Sequence, residues 1–412
     1  MTTEITRAPG TPEAFTLCLN PPAAPENPWT EAQDAILSDA GLAAARATIG
    51  GWPGYAPTPL VALPGLAAEL GVAALHYKDE GGRFGLGSFK ALGGAYAVAR
   101  LLQAELSKAL GRAVSMDEVT GRAYPDQAAR ITVCCATDGN HGRSVAWGAQ
   151  NFGCNCVIFI HATVSEGRKT AIEAYGAEVR RCAGNYDDSV REAQETATRE
   201  GWFVVSDTSY PGYMDIPKDV MQGYEVMAAE AFDALDEAPT HVFLQTGVGG
   251  MAAAVTAQAV RRWGAGRPKI VLCDPDQSAC WLDSIRAGRP TAVEGDLDTL
   301  MAGLACGEVS ALAWEILHDH ADAVMALTDV AAVAEMRRLA RPVAGDPAIV
   351  AGESAVAGLA GLTAAMADDE ARAMLGLDAG SRVVVFGTEG DTDAALYEEL
   401  VGLSGDAVRG AA

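Results

Sequence analysis

The stretch Gly87-Ser88-Phe89-Lys90 joins a glycine-rich segment to an alanine-rich run that has the length of a helix. The residues around the lysine are small or apolar, which predicts a packed site rather than a solvated lysine at a helix start. Partial removal from water lowers the pKa of an amine and makes it usable as a nucleophile and as a proton carrier. Lys90 is therefore a candidate to form a Schiff base with a carbonyl compound.

Short apolar runs alternate with helix-length segments along most of the chain, and this alternation is typical of parallel α/β architecture. The predicted strands lie at 74–78, 131–136, 156–160, 178–182, 202–205, 242–245, 270–274 and 383–387. The predicted helices lie at 91–110, 142–152, 166–175, 186–200, 217–236 and 250–263.

No strong linker in the sequence marks a boundary between domains. We expect residues 1 to about 70 to form an irregular arm with one helix over 31–47, and we expect the polar segment 106–127 to be an insertion. The prediction is a two-lobed α/β fold with mostly parallel twisted sheets flanked by helices. A large domain would comprise 1–95 and 217–412, with a smaller mobile domain, 96–216, inserted in it.

Composition restricts the classes of partner. The chain has 412 residues, 49% of them hydrophobic, and a net charge of -24, which argues against nucleic acid and anionic membranes as partners. Its first residues lack the pattern of a secretory signal, and no apolar run is long enough to span a membrane. Nine scattered cysteines favour a reducing cytoplasm. Cys280 and Cys306 are either two free thiols or a disulfide, and no cysteine spacing predicts a metal site.

A turn with the sequence TDGNHG, at 137–142, follows the strand predicted at 131–136 and precedes a helix. Backbone amides that converge at such a turn can bind a carboxylate, although the same residues also form ordinary capped turns. Because Asp138 would repel a substrate carboxylate, we expect it to act instead as a base or as a partner for an ammonium group.

A second turn, QTGVGGM at 245–251, also lies between a strand and a helix. Glycines let a phosphate approach the backbone, and the helix N-terminus favours its negative charge. A dinucleotide is one possible ligand, with Asp274 as its ribose partner. The monophosphate of pyridoxal phosphate is the other, since the turn lies about 160 residues after a candidate Schiff-base lysine.

Thr388 follows the last predicted strand. A hydroxyl at this position is suited to a hydrogen bond with a pyridine nitrogen, and a neutral partner would leave that nitrogen unprotonated and favour β-elimination. The alternative is a polar turn that caps the next helix.

In their order and spacing, these motifs resemble the fold type II, tryptophan-synthase-β-like enzymes that use pyridoxal phosphate, and among them most closely the diaminopropionate ammonia-lyase family. The resemblance spans roughly residues 50 to 400, and its segments are RFGLGSFKALGG at 83–94, TDGNHGR at 137–143, DT at 207–208, MQGY at 221–224, MAGLACGE at 301–308 and TEGDTD at 388–393.

The resemblance implies roles for individual residues. Lys90 would bind the cofactor as a Schiff base and act as one base, Asp138 would be the second base on the opposite face, and Asp207 would orient the substrate. The remaining residues that would contact cofactor or substrate are Asn140 (phenolic oxygen), Gly247, Val248, Gly249, Gly250 and Met251 (phosphate), Thr388 (ring nitrogen) and Thr137, Gly139 and His141 (substrate). No metal is implied.

The family converts both isomers of 2,3-diaminopropionate to pyruvate and ammonia through aminoacrylate, and its members are expected to be homodimers. Alternatives on the same fold are a serine, threonine or hydroxyaspartate dehydratase and a non-catalytic ligand-sensing protein. The intact set of Lys90, Asp138 and Asp207 argues against the non-catalytic alternative. A nicotinamide-dependent oxidoreductase rests on the glycine turn alone.

Overall fold

The computed structural model describes residues 3–7, 14–137, 139–184 and 186–410. Its strands are β1 Glu4–Thr6, β2 Phe15–Leu19, β3 Leu60–Ala62, β4 Ala74–Asp79, β5 Thr132–Ala136, β6 Asn155–Ile160, β7 Glu178–Arg181, β8 Phe203–Val204, β9 His241–Gln245, β10 Lys269–Pro275, β11 Ala323–Leu327 and β12 Arg382–Gly387. Its helices are α1 Glu31–Ile36, α2 Asp39–Gly50, α3 Pro64–Leu70, α4 Lys90–Leu110, α5 Met116–Thr120, α6 Pro125–Ala128, α7 Asn140–Phe152, α8 Glu166–Glu173, α9 Tyr186–Glu200, α10 Asp215–Asp233, α11 Gly250–Trp263, α12 Cys280–Ala287, α13 Ala311–His320, α14 Asp329–Ala340, α15 Ala357–Ala367, α16 Asp369–Leu375, α17 Ala394–Val401 and α18 Gly405–Arg409.

The chain divides into two compact units, of which the first comprises 1–36, 57–82 and 227–412. Its sheet has the strand order β1-β2-β11-β10-β9-β12-β4-β3. The central strands β11, β10, β9, β12 and β4 pair in parallel, whereas β2 and β3 pair antiparallel with their neighbours. Every residue of β9 and of β11 is buried, as expected for parallel strands that are covered on both faces.

Helix α15 lies close against this sheet because two of its residues are glycines. A Cβ at Gly358 would lie 2.7 Å from the carbonyl oxygen of Phe243, and one at Gly361 would lie 2.6 Å from Sγ of Cys273. Any larger side chain would push the helix away from β9 and β10 and open a gap in the core. The packing holds the carboxyl end of β9 in place.

The second unit comprises 37–56 and 83–226 and contains a four-stranded parallel sheet in the order β7-β6-β5-β8. Helices α4 and α7 pack tightly in this unit, since a Cβ at Gly94 would lie 2.0 Å from Oγ of Ser144 and one at Gly148 would lie 2.8 Å from Cα of Ala95. The close packing fixes the two helix N-termini, where Lys90 and Asn140 lie.

The α/β fold with mostly parallel sheets is confirmed, and each predicted strand lies within one residue of an observed one. The prediction of an irregular N-terminal arm is wrong, because the arm contributes β1 and β2. The single helix predicted over 31–47 is also wrong. Two helices form instead, because the Ser38 side chain accepts a hydrogen bond from the Gly41 amide and starts α2. The segment 106–127 contains the end of α4 together with α5 and α6.

Two further findings concern membrane-spanning helices and the disulfide considered between Cys280 and Cys306. No helix in the described ranges is both long and apolar enough to cross a membrane. Cys280 carries a free thiol, so no disulfide joins it to Cys306.

Candidate active site

Lys90 is the first residue of α4 and follows a turn in which Gly87 has a left-handed backbone conformation, with a φ of 77°. Its Nζ lies 2.5 Å from Oδ2 of Asp207, in the segment that follows β8. The two side chains are 19% and 21% exposed. The ammonium and the carboxylate therefore form a recessed ion pair that a small ligand can still reach.

Two aromatic rings flank the amine of Lys90. Nζ lies 5.4 Å from the ring centroid of Phe89 and 5.9 Å from that of Tyr224, and the two ring centroids are 4.6 Å apart. Burial raises the pKa of Tyr224, so its phenol stays neutral. Gly93 makes room for this ring, because a Cβ there would lie 2.4 Å from Cε1 of Tyr224. The aromatic rings limit the water around the amine.

Asp207 also faces the imidazole of His141. The ring nitrogen Nε2 of His141 lies 2.8 Å from the carbonyl oxygen of Val205, and since that oxygen can only accept, Nε2 donates. Nδ1 lies 3.8 Å from Oδ2 of Asp207. Burial acts to raise the pKa of Asp207, but attraction to Lys90 and His141 and the hydrogen bond with Lys90 outweigh it and hold this pKa well below its ordinary value. Asp207 is therefore ionised at neutral pH.

The turn between β5 and α7 is organised by the buried Thr137. Its Oγ1 accepts hydrogen bonds from the amides of Gly139, at 3.1 Å, and Gly142, at 3.2 Å. A Cβ at Gly142 would lie 2.2 Å from Cγ2 of Thr137, so only glycine permits this arrangement. Two of the amides that were expected to bind a carboxylate thus have an internal partner. Asn140 is the first residue of α7, and Asp138 lies outside the described residues.

The second glycine turn leads from β9 into α11. Gly249, with a φ of 96°, precedes the first residue of the helix, Gly250. The indole Nε1 of Trp281 donates a hydrogen bond to the carbonyl oxygen of Gly247 at 3.1 Å, and a Cβ at Gly249 would lie 2.3 Å from Cζ2 of that indole. The turn is thus held by a buried tryptophan, and two glycines, Gly249 and Gly250, stand at the N-terminus of this 14-residue helix. Val248 and Met251 complete the predicted phosphate-binding segment.

Asp274 stabilises the same turn from within the core. Its carboxylate accepts hydrogen bonds from the hydroxyl of Thr246 and, at 2.9 Å, from the amide of Trp281. Asp274 is fully buried, and burial raises its pKa to about 7. The alternative in which Asp274 binds a ribose is wrong, because the carboxylate is enclosed and its acceptor sites are taken.

Thr388 directly follows β12 and is 4% exposed. Its Oγ1 lies 2.7 Å from Nε2 of Gln245, the last residue of β9. Asp391, three residues further on, forms a bidentate ion pair with Arg409. Thr388 thus lies against a neutral amide at the carboxyl ends of two neighbouring strands.

The structure therefore brings together Lys90, Asp207 and His141 in one unit, and it places Thr388 and the 247–251 turn in the other. Sequence reasoning assigned no role to Tyr224 or Gln245, although both lie in segments that it singled out. Gln245 is a polar residue that ends an otherwise apolar strand, and this is a signal that could have indicated it. Among the described residues, no group of three metal-ligating side chains is placed to bind an ion.

Residues 52–389 match the sequence profile of the family described as "Pyridoxal-phosphate dependent enzyme". The chain is 41% identical over 354 residues to a diaminopropionate ammonia-lyase of Escherichia coli (strain K12), which corresponds to 84% of this chain and 88% of the relative.

Crystal structures of an Escherichia coli diaminopropionate ammonia lyase share the fold. One, in complex with D-serine, has a TM-score of 0.85 and 36% identity, and another, in complex with an aminoacrylate-PLP azomethine reaction intermediate, has a TM-score of 0.84 and 37% identity. Each comparison covers 94% of this chain and 96% of the other.

Proposed function

This chain belongs to the family of pyridoxal-phosphate-dependent enzymes, and we propose that it converts both isomers of 2,3-diaminopropionate to pyruvate and ammonia. The ion pair between Lys90 and Asp207 is the observation that carries this proposal. Diaminopropionate differs from serine in having a β-ammonium where serine has a hydroxyl group. An ionised carboxylate beside the reactive amine suits the ammonium better, because it attracts a cation.

The residues present fit pyridoxal phosphate. The N-terminus of α11 and the glycines before it suit a phosphate, and the recessed amine of Lys90 suits an aldehyde. Asn140 is assigned to the phenolic oxygen, Thr388 to the ring nitrogen, and Gly247, Val248, Gly249, Gly250 and Met251 to the phosphate. When bound, the cofactor supplies a conjugated ring that accepts the electron pair left by the departing α-proton.

Lys90 and Asp138 are the two bases in this proposal. Each would remove the α-proton of one isomer at its own face of the substrate, with Lys90 as the base for the L-isomer. The flanking rings of Phe89 and Tyr224 restrict water around the Lys90 amine and help to keep its proton from exchanging.

Asp207 holds the β-ammonium. Since its pKa lies below the ordinary value, it is a carboxylate throughout the neutral range and keeps the leaving nitrogen cationic until the bond breaks. The hydrogen bond of His141 to Val205 fixes the imidazole beside this carboxylate. Thr137, Gly139 and His141 complete the proposed substrate-binding residues.

A panel of substrates tests the proposal. Pyruvate and ammonia released from D- and L-diaminopropionate are compared with pyruvate, or the corresponding 2-oxoacid, released from serine, threonine and hydroxyaspartate at equal enzyme concentration. We expect a higher kcat/KM for diaminopropionate, and Asp207→Asn should reduce this preference. A higher kcat/KM for serine would establish a dehydratase instead, an alternative that the D-serine complex of the Escherichia coli enzyme makes worth including.

Assembly and compartment are part of the proposal. Tyr210 and Met214 expose 45% and 36% of their surface, which is consistent with a homodimer interface. Light scattering that reports a single-chain mass at micromolar concentration would contradict the dimer. Free thiols at Cys134, Cys135 and Cys273 favour the reducing cytoplasm.

The division into a large domain (1–95 and 217–412) and a smaller mobile domain (96–216) stays a prediction. Ligand should slow proteolysis within 96–216, as expected for a segment that becomes less mobile when substrate binds. Equal cleavage rates with and without D-serine would contradict it.

A further inference from the structure

We propose that Gln245 is a positioning residue that forces the hydroxyl of Thr388 to act as a hydrogen-bond donor toward the pyridine nitrogen of the cofactor. The inference rests on the proposed function, since it deepens the role that Thr388 has there. It concerns two residues of the same unit, at the adjacent carboxyl ends of β9 and β12.

The amide of Gln245 has a defined orientation. Its Nε2 lies 2.7 Å from the carbonyl oxygen of Phe386 and 2.7 Å from Oγ1 of Thr388, with the carbonyl oxygen of Ala355 at a longer 3.5 Å. A carbonyl oxygen can only accept, so the atom that faces Phe386 must carry hydrogen. The reversed amide would place Oε1 against that carbonyl with no hydrogen between two acceptors, which is repulsive.

The polarity of the Thr388 hydroxyl follows from this orientation. The amide nitrogen has two hydrogens and cannot accept, so its two short contacts, to Phe386 and to Oγ1 of Thr388, take one hydrogen each, and the carbonyl oxygen of Ala355 is the more distant acceptor. Oγ1 therefore accepts from Gln245, and the single hydrogen of the hydroxyl is directed to another acceptor. An unprotonated pyridine nitrogen is such an acceptor, whereas a pyridinium N–H is not.

The unpaired oxygen of the amide supports a functional rather than a purely structural role. Oε1 of Gln245 is buried and has no hydrogen-bond partner among the described residues. A buried acceptor without a partner is unfavourable. The site keeps this unfavourable state together with an amide nitrogen that makes two short hydrogen bonds, and the result is a hydroxyl of fixed polarity.

The chemical consequence concerns the strength of the electron sink. A neutral donor leaves the ring nitrogen unprotonated, so negative charge is drawn less strongly into the ring than by a pyridinium. Elimination of the β-substituent is then favoured over reprotonation at the cofactor. Gln245 would set this property without contacting substrate or cofactor.

The test is the ¹⁵N resonance of holoenzyme reconstituted with pyridoxal phosphate labelled at the ring nitrogen. We expect the resonance of the unmodified enzyme to be that of a hydrogen-bonded but unprotonated pyridine. Thr388→Val should move it downfield, toward that of a pyridine without a donor, and Thr388→Ser should leave it in place. Cofactor affinity should fall about three- to tenfold in Thr388→Val, as expected for one hydrogen bond.

Two substitutions test Gln245 itself. Gln245→Met keeps the length of the side chain but frees the hydroxyl, so the resonance should move part of the way toward that of Thr388→Val. Gln245→Glu should move it further, because a carboxyl group accepts the hydrogen of Thr388. Neither substitution should move the resonance when Thr388 is already valine. Gln33→Met is the control, since Gln33 is a buried glutamine that bonds to Glu315 and Asp319 instead.

The outcomes distinguish a wrong assignment of Thr388 from a wrong role for Gln245. If Thr388→Val leaves the resonance unchanged, the assignment of Thr388 in the proposed function is wrong. If Thr388→Val moves it and both Gln245 variants do not, Thr388 contacts the nitrogen but Gln245 does not position it. A pyridinium resonance in the unmodified enzyme would overturn the inference even if the Gln245 variants failed to fold.

Discussion

The residues around Lys90 and those around Thr388 lie in different units of the chain and differ in the charge that they carry. The first group contains an ammonium, a carboxylate whose pKa is held low, and an imidazole. The second contains a hydroxyl, an amide and the glycine turn, and its buried carboxyl groups accept hydrogen bonds from within the protein, Asp274 from the Thr246 hydroxyl and Glu389 from the Ser354 amide. The charged residues and the glycine turn thus come from different parts of the sequence.

Lys90→Ala should have the largest effect. It removes the proposed base and the proposed covalent anchor of the cofactor, so kcat should fall by at least about 10⁴-fold. The long-wavelength absorbance of the bound cofactor should disappear as well. Turnover is measured by pyruvate formation.

Asp207→Asn is the matched variant, because it breaks the same ion pair but keeps the amine. It should retain the absorbance while turnover falls. Equal loss of absorbance in both variants would show that the ion pair, rather than the amine, retains the cofactor.

Asp138→Asn tests whether Asp138 is the second base in the proposed site. Turnover of D-diaminopropionate should fall about 10²- to 10⁴-fold, the contribution of one general base, with a much smaller loss for the L-isomer. Kinetics with the separate isomers give the two numbers. Asp207→Asn should slow both isomers alike, since each carries the same β-ammonium. Equal losses in Asp138→Asn would rule out bases on opposite faces.

Gly249→Ala tests the glycine turn that precedes α11. The new Cβ would be strained at a φ of 96° and would displace the indole of Trp281, so both stability and cofactor affinity should fall. Gly264→Ala, at the other end of α11, is strained at a φ of 53° but meets no atom within 4 Å. In urea titrations, the loss in free energy of unfolding should be greater for Gly249→Ala by at least about 1 kcal/mol. Similar losses would mean that the indole moves freely.

The effect of Asp274 concerns stability alone and is seen only as a pH dependence. Because burial raises its folded-state pKa to about 7, the folded protein keeps a proton that the unfolded chain loses near pH 4. The contribution of Asp274 to stability should therefore be complete below pH 4 and should fall, by roughly 1.4 kcal/mol per pH unit, as the pH rises to 7. Asp274→Asn should remove this slope in urea titrations, and an unchanged slope would assign it to another group.

The sequence predicted the strands before each motif because short apolar runs between glycine turns have few alternatives. It missed β11, a run of five apolar residues that lies between two helices and is not distinguishable from part of a helix by periodicity. It also missed β2, whose place depends on pairing with β11 more than 300 residues away. Strand pairing over such distances leaves no local pattern.

The candidate site shows the same limit. Lys90 and the glycine turn were predictable because each motif is continuous in the sequence. The contact of Gln245 with Thr388 was not, because 143 positions separate the two residues and only the pairing of β9 with β12 brings them together. The hydrogen bond from Thr246 to Asp274 likewise forms only when the core is packed.

The position of β12 has a consequence for biosynthesis. This strand is formed by Arg382–Gly387, near the end of the chain, but it lies between β9 and β4 in the middle of the larger sheet. Ribosomes add roughly 5–20 residues per second, so β12 is synthesised tens of seconds after β4, the strand with which it pairs. The strands β5 to β8, in contrast, are all synthesised once the chain has reached residue 204. The nascent chain can complete the smaller sheet early, but its larger sheet stays open and vulnerable to aggregation until translation is nearly finished.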